Sequence, residues 1–174
     1  PNASLLYING WLDLSKGEQD NYGEQILQLP PNPENHYYVL AVLDSYINTV
    51  GSFGPRTTSQ GASDTPQNIL LVGPDSPYYG QDIKEVDING ATLKVLQVDT
   101  SKAWITARIN TNTLDNEAMS ATRVFINGTA DEEGSGFQLT SLKNFKDTGT
   151  VPYTPPISQS ANSSDPDVIE ARSK

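Results

Sequence analysis

Three stretches of the chain alternate oily and polar side chains with a period of two, which restricts the fold more than any other feature. In Leu5–Leu14, Leu6, Ile8, Leu12 and Leu14 fall on one face with Gly10, while Tyr7, Asn9, Trp11 and Asp13 fall on the other. Tyr37–Val50 sets Val39, Ala41, Leu43 and Ile47 against Tyr38, Leu40, Val42, Asp44, Tyr46 and Asn48, with a bend expected midway. In Ala103–Asn110, Ala103, Ile105, Ala107 and Ile109 oppose Trp104, Thr106 and Arg108. Successive side chains of a strand point to opposite faces, so each stretch is expected as a strand with an aliphatic side and a second side that turns polar or aromatic.

Between them lie shorter signals. Ile26–Leu29 is a strand closed by Pro30-Pro31, and Asn68–Val72 is nearly all apolar, as a strand covered on both sides would be, before Gly73-Pro74 stops it. Ile83–Val86 is short and extended. Asp87-Ile88-Asn89-Gly90 is a hairpin turn, because Asn-Gly supplies the positive φ angles of a two-residue turn. Thr92–Val98 and Ala103–Asn110 are expected to pair around Asp99–Lys102, with a loop over Gly51–Gly61 and a last strand within Phe137–Phe145. Leu114, Ala118, Ala121 or Thr122, and Phe125 recur at helical spacing, with Thr113 as N-cap and Gly128 as terminator. The expected fold is therefore mostly β, an antiparallel β-sandwich or barrel-like domain with one helix near 114–126. Residues 1–150 form one domain, and the Pro/Ser-rich 151–174 is a flexible tail or an arm ordered by a partner.

Composition removes several functions. Net charge is −10 with a pI near 4.3 and no Lys/Arg cluster, so phosphate backbones and anionic membranes are repelled. Cysteine is absent, which excludes disulfides, thiolate metal sites and Cys nucleophiles. No apolar run approaches the ~18 residues needed to span a bilayer. The chain starts at Pro1, so it is expected to be processed or a fragment. His36 is the only histidine, so a multi-histidine metal site is impossible, and no G-x-S-x-G elbow or phosphate-binding glycine motif accompanies it. Asp131–Glu133 and Asp165/Asp167 lack calcium-loop spacing. No cofactor, metal or catalytic residue is assigned. Three N-x-Ser/Thr triplets, at Asn2, Asn127 and Asn162, are glycosylation candidates, although about 2.5 arise by chance in so Asn-, Ser- and Thr-rich a chain. Asn127 is the best placed, following the expected helix.

If the three alternating strands are neighbours, they collect Tyr7, Trp11 and Asp13 with Asp44, Tyr46 and Asn48, plus Trp104 and Arg108, and Arg56 follows on the adjoining loop. Aromatic planes flanked by carboxylates and amides suit sugar rings. Two carboxylates such as Asp13 and Asp44 act as acid and base if about 5–9 Å apart. Equally, Asp44 pairs with Arg56 or Arg108 in a structural network that pins the 51–61 loop.

Several of these residues also carry a family likeness. The run Tyr7-Ile-Asn-Gly-Trp11-Leu-Asp13-Leu-Ser-Lys-Gly17 resembles the opening strand of the domain-of-unknown-function 1254 family. So do Tyr37–Asn48 with Gly54-Pro55-Arg56-Thr57-Thr58, Asn68–Pro74, and the block from Val95 through Trp104 and Arg108 into the helix, covering roughly residues 5–145. The resemblance implies a β-rich sandwich or barrel-like domain with a helix near its end. It also implies a setting in which helices precede this region, a second β-rich domain follows it, and many relatives are exported. It brings no reaction and no catalytic residues.

The preferred expectation is a non-enzymatic structural or interaction module of an exported, surface or extracellular assembly, with other protein chains as partners and neither nucleic acid binding nor membrane insertion. Strand edges and an extended arm can join neighbours by backbone pairing. The alternative is a carbohydrate-binding or carbohydrate-processing domain using the Trp/Tyr/Asp face.

Overall fold

The computed structural model describes residues 5–17, 21–57, 65–111, 116–132 and 134–153. The elements are β1 (Leu5–Asp13), β2 (Gln25–Leu29), β3 (Tyr38–Asp44), β4 (Thr49–Phe53), β5 (Gln67–Val72), β6 (Glu85–Ile88), β7 (Ala91–Gln97), β8 (Lys102–Asn110), α1 (Asn116–Asn127), β9 (Gln138–Ser141) and α2 (Leu142–Thr148). They form two sheets, one of four strands in the order β1-β8-β3-β4 and one of five in the order β6-β7-β5-β2-β9. The architecture is a mostly-β sandwich. Every strand pair is antiparallel except β5–β7, which is parallel, so the larger sheet is mixed.

The alternation read from the sequence decides how the layers pack. Leu12 and Leu14 from the β1 stretch, Tyr38, Leu40 and Val42 of β3, and Ala103, Ile105, Ala107 and Ile109 of β8 face inward onto Leu27 and Leu29 of β2 and Ile69 and Leu71 of β5. The five-stranded sheet is buried on its other face too. Ile26, Leu70, Val72, Ile88 and Leu93 pack there against Leu142 and Phe145 of α2 and against Val151. That second burial is why Ile69–Val72 reads as an unbroken apolar run rather than an alternating one. The outer face of the four-stranded sheet has no such cover among the described residues.

Four expectations are corrected. Tyr37–Val50 is a hairpin of two strands, not one bent strand. Asp44 O accepts from Ile47 N and Asn48 O from Asp44 N, closing a turn, and a bulge between Val42 and Leu43 re-registers β4. The Gly51–Gly61 loop begins late, because β4 runs to Phe53. Strands β7 and β8 do not pair; the chain crosses from one sheet to the other at Val98–Ser101, where Val98 N donates to Val72 O and Leu14 N to Ser101 O. The segment after β9 is a helix, α2, capped by the Ser141 hydroxyl on Asn144 N and closed by Gly149. Period-two reasoning misses it because only Leu142 and Phe145 carry its apolar contact.

Helix α1 ends at Gly128, as its glycine signals, with φ +71° and Gly128 N on Val124 O. Its expected N-cap, Thr113, lies outside the described residues, as do Asn2, Asn162 and the tail beyond Tyr153. Phe125 anchors the helix in an aromatic cluster, edge-on to Phe137 at 5.6 Å and tilted against Tyr38 at 5.9 Å. Burial pushes the Tyr38 hydroxyl up to about 12, and it has no hydrogen-bond partner.

The connection from β1 to β2 returns beneath its own chain at Gly23, where φ is +72° and a Cβ would lie 2.4 Å from Ser15 O. Substitution Gly23→Ala is therefore expected to destabilise the domain by at least about 2 kcal/mol. A chemical-denaturation midpoint within error of wild type would show that the backbone at this crossing relaxes freely.

Candidate functional site

Strands β1, β8 and β3 are direct neighbours, so the side chains that alternate outward from them share one open surface. Trp11 lies opposite Trp104 in the β1–β8 register, and Tyr7 opposite Arg108. The indoles stack, with ring centroids 5.7 Å apart and planes 16° from parallel. Trp11 is still 69% exposed and Tyr7 56%. Asp13, opposite Lys102, forms an ion pair with its Nζ. That bond, with those from the Ser15 hydroxyl and amide, holds the Asp13 carboxyl well below the usual carboxylate range. From β3, the outward row beside Trp104, Thr106 and Arg108 is Leu43, Ala41 and Val39.

Asp44, Tyr46, Asn48 and Arg56 do not join this surface. Asp44 aligns with Ala103, one residue past the Trp104 register, and so belongs to the inward row. Its Oδ1 accepts from the amides of Tyr46 and Asn48, each at 2.8 Å, and its Oδ2 from Asn48 Nδ2 at 2.8 Å. The expected arginine partner is thus replaced by donors of Asp44's own turn. Arg56 lies over the Tyr37 ring, 4.7 Å from its centroid, and Arg108 is exposed. Asp13 and Asp44 sit on opposite faces of the sheet, so they do not flank a common bond as an acid–base pair must.

The turn that Asp44 holds is strained. Ile47 adopts φ +68°, a left-handed conformation that a β-branched residue rarely takes. Ser45 fastens the turn to the β7–β8 connection, its amide donating to Thr100 Oγ1 and its hydroxyl to Lys102 O. The result is a fixed tip presenting Tyr46, 79% exposed, and Ile47, 66% exposed, at the Trp11–Trp104 end of the sheet.

The inward face of β1 is incomplete. Strands β1 and β9 are edges of their sheets, and between them runs a slot of about 130 Å³ bordered by Ile8, Leu12, Leu27, Ile105, Phe137 and Leu139. Gly10 sits in that wall, and a Cβ built on it meets nothing within 4 Å. The sequence carries the signal as a glycine interrupting an otherwise aliphatic row, although it does not show that the place stays empty. Lys102 and Ile47, which shape the outer surface, carried no signal, because their placement depends on register and on the turn.

His36 lies elsewhere, in a cleft of about 400 Å³ formed by Pro30, Pro31 and Pro33 against Val124 and Phe125 of α1. Its Nε2 is 3.2 Å from Glu34, and its ring stacks on Phe125 at 4.5 Å. Ser135 in the same cleft donates its hydroxyl to Thr129 O and accepts from Thr129 N, so it is held in the loop after α1. Asn127 ends α1 half-buried, with its carbonyl accepting from Gln138 Nε2. Among the described residues no three metal-ligating side chains converge, and no helix is long and apolar enough to cross a membrane.

Asp44 makes the 44–48 turn sensitive to acid. The Asn48 side chain, then the Asn48 and Tyr46 amides, lower its folded pKa below the ordinary 3.8. A carboxylate with a depressed folded pKa stabilises the fold above its unfolded pKa, and the contribution fades as pH falls through the folded value. The Tyr46 and Asn48 amides are expected to stay protected from hydrogen exchange, after correction for intrinsic rates, from neutral pH to about 4. Protection then falls below that value. Equal protection at pH 3 and pH 6 would contradict the role given to the carboxylate.

Comparison with known proteins places this geometry. The crystal structure of the VPA0106 protein from Vibrio parahaemolyticus superposes with a TM-score of 0.55 at 18% sequence identity, over 95% of this chain and 34% of that one. The likeness is one of fold, and the chain spans about a third of that protein's length. No curated protein matches the chain. The family model described as "Protein of unknown function (DUF1254)" matches residues 1–130, which contain β1 to β8, the stacked tryptophans and α1, and the chain belongs to that family.

Proposed function

We propose that the domain is a non-enzymatic docking module that takes an extended segment of another polypeptide along β1. One observation carries this reading: β1 is a nine-residue edge strand that is incomplete on all three accessible sides. Among the described residues no strand pairs with its outer edge, which is therefore placed to receive a further strand. Its outward side chains, Tyr7 and Trp11, are exposed beside Trp104, and its inward row is open at Gly10 over an apolar slot. Trp and Tyr dominate the energetics of protein interfaces because they bury large area at low entropic cost. The strained Tyr46–Ile47 tip adds exposed apolar surface at the same end of the sheet. An exported or surface setting, with a glycan on Asn127, belongs to this proposal and is checked by mass spectrometry of the Asn127 peptide from the native source.

A second reading rests on the same indole. Trp11 beside the Asp13–Lys102 pair offers a sugar ring one flat apolar surface with polar groups at its margin.

Two substitutions separate the readings. Gly10→Leu adds a Cβ that meets nothing within 4 Å, directs its branched end into the slot and leaves Trp11 in place. It is expected to weaken docking to the native assembly at least tenfold while the domain keeps its melting temperature. Trp11→Ala is expected to cost about 2 kcal/mol of docking, roughly 30-fold. If Gly10→Leu docks like wild type while Trp11→Ala alone loses retention on a glycan array, the strand-docking account is wrong and the glycan reading stands.

A further inference from the structure

The outer face of the five-stranded sheet holds a row of side-chain amides where the surrounding packing is aliphatic. Gln28 of β2 lies opposite Asn68 of β5 on one side and Gln138 of β9 on the other. All three project away from the sandwich interior, in the same rows as Ile26, Leu70 and Thr140. Gln28 is 3% exposed and Gln138 5%. Gln138 Nε2 donates to Asn127 O, but Gln28 Nε2 and Asn68 Oδ1 are buried without any partner. A buried polar group left unpaired is destabilising, so two in adjacent places are a substantial defect.

Two of the three amides, Gln28 and Gln138, line a cavity of about 350 Å³, large enough for a small ligand. Asp131, Glu132, Ser135 and Tyr153 line it with them. It opens from the outer face of the five-stranded sheet and does not involve the Trp11–Trp104 surface; Gln138 alone borders both this cavity and the β1–β9 slot, so Gln28 is the readout that separates the two proposals.

We propose that this cavity binds a small neutral polyol, of the size of a cyclitol or a monosaccharide. The unpaired Gln28 donor and the carboxylates that share its cavity select the class. Gln28 Nε2 needs an acceptor, and a neutral hydroxyl supplies one while keeping its own hydrogen to donate to a carboxylate. The terminal torsion of a glutamine side chain is soft, so the Gln28 amide can turn to meet an entering hydroxyl. Further hydroxyls on the same molecule donate to Asp131 and Glu132, which accept only. An anion finds no Lys or Arg among the described lining residues and meets two carboxylates. An alkylammonium satisfies the carboxylates but offers Gln28 Nε2 no acceptor.

The test is titration of the full chain with myo-inositol and D-glucose, followed by the side-chain amide signals of Gln28 and Gln138 in nitrogen–proton correlation spectra. Inorganic phosphate and putrescine serve as counter-probes. The proposal expects saturable shifts of both signals at millimolar polyol or below and none with phosphate or putrescine. Gln28→Leu removes the orphan amide from an apolar neighbourhood. It is expected to lower polyol affinity at least tenfold while the melting temperature holds or rises. If Gln28→Leu fails to fold, Glu132→Gln at the rim replaces it, and an affinity within twofold of wild type would count against the site. Signals unmoved by either polyol would mean that no polyol reaches the Gln28 and Gln138 amides, and shifts of equal size with putrescine would mean that the carboxylates alone attract ligand. Either result overturns the proposal.

Discussion

The structure depends on an inequality between its two sheets: one is buried on both faces and the other on one. A sheet with a single buried face alternates its side chains, and β8 does so from end to end and β1 over most of its length, while β3 is apolar on both faces. Because the three strands are neighbours in register, the outward residues gather on one surface rather than scatter around the molecule. The tryptophan pair is a product of that registration, since Trp11 and Trp104 lie directly opposite each other. A one-residue slip of β1 would carry Trp11 into the interior and Leu12 to solvent.

Much of this was legible in the sequence, for a physical reason. Strand alternation is a local property, so the faces of β1 and β8 could be read residue by residue, as could the double burial of Ile69–Val72. The outward set Tyr7, Trp11, Asp13, Trp104 and Arg108 followed from it. Asp44 was misplaced because both faces of β3 are apolar, Val39, Ala41 and Leu43 on one and Tyr38, Leu40 and Val42 on the other, so alternation does not show which of them turns inward. The chain turns at Asp44, and the carboxylate at a strand's end caps the turn that follows. The pairing of β7 with β8 failed for a related reason: a short polar connection can close a hairpin or cross between sheets, and only packing partners far along the chain decide. Helix α2 was hidden because its two buried residues in seven also suit a short strand.

What the site can do follows from how little covers it. A face bearing a stacked indole pair, an edge with which no strand pairs among the described residues and an unfilled inward position are liabilities for an isolated sandwich. In the proposed docking, a second polypeptide lying along β1 would cover all three. The Asp13–Lys102 pair and the Asp44 turn then act as fixed borders that hold the surface in shape. The buried amides of Gln28 and Asn68 make a separate polar defect behind the other sheet, so the sandwich carries a different incompleteness on each side.

The most direct measurement of the central claim is hydroxyl-radical footprinting of Trp11, comparing the isolated domain with the same chain in its native assembly. An interface along β1 predicts fast labelling of Trp11 in isolation and at least a tenfold slower rate in the assembly. Equal labelling in both states would show that the open face of the four-stranded sheet stays in water and would contradict the account.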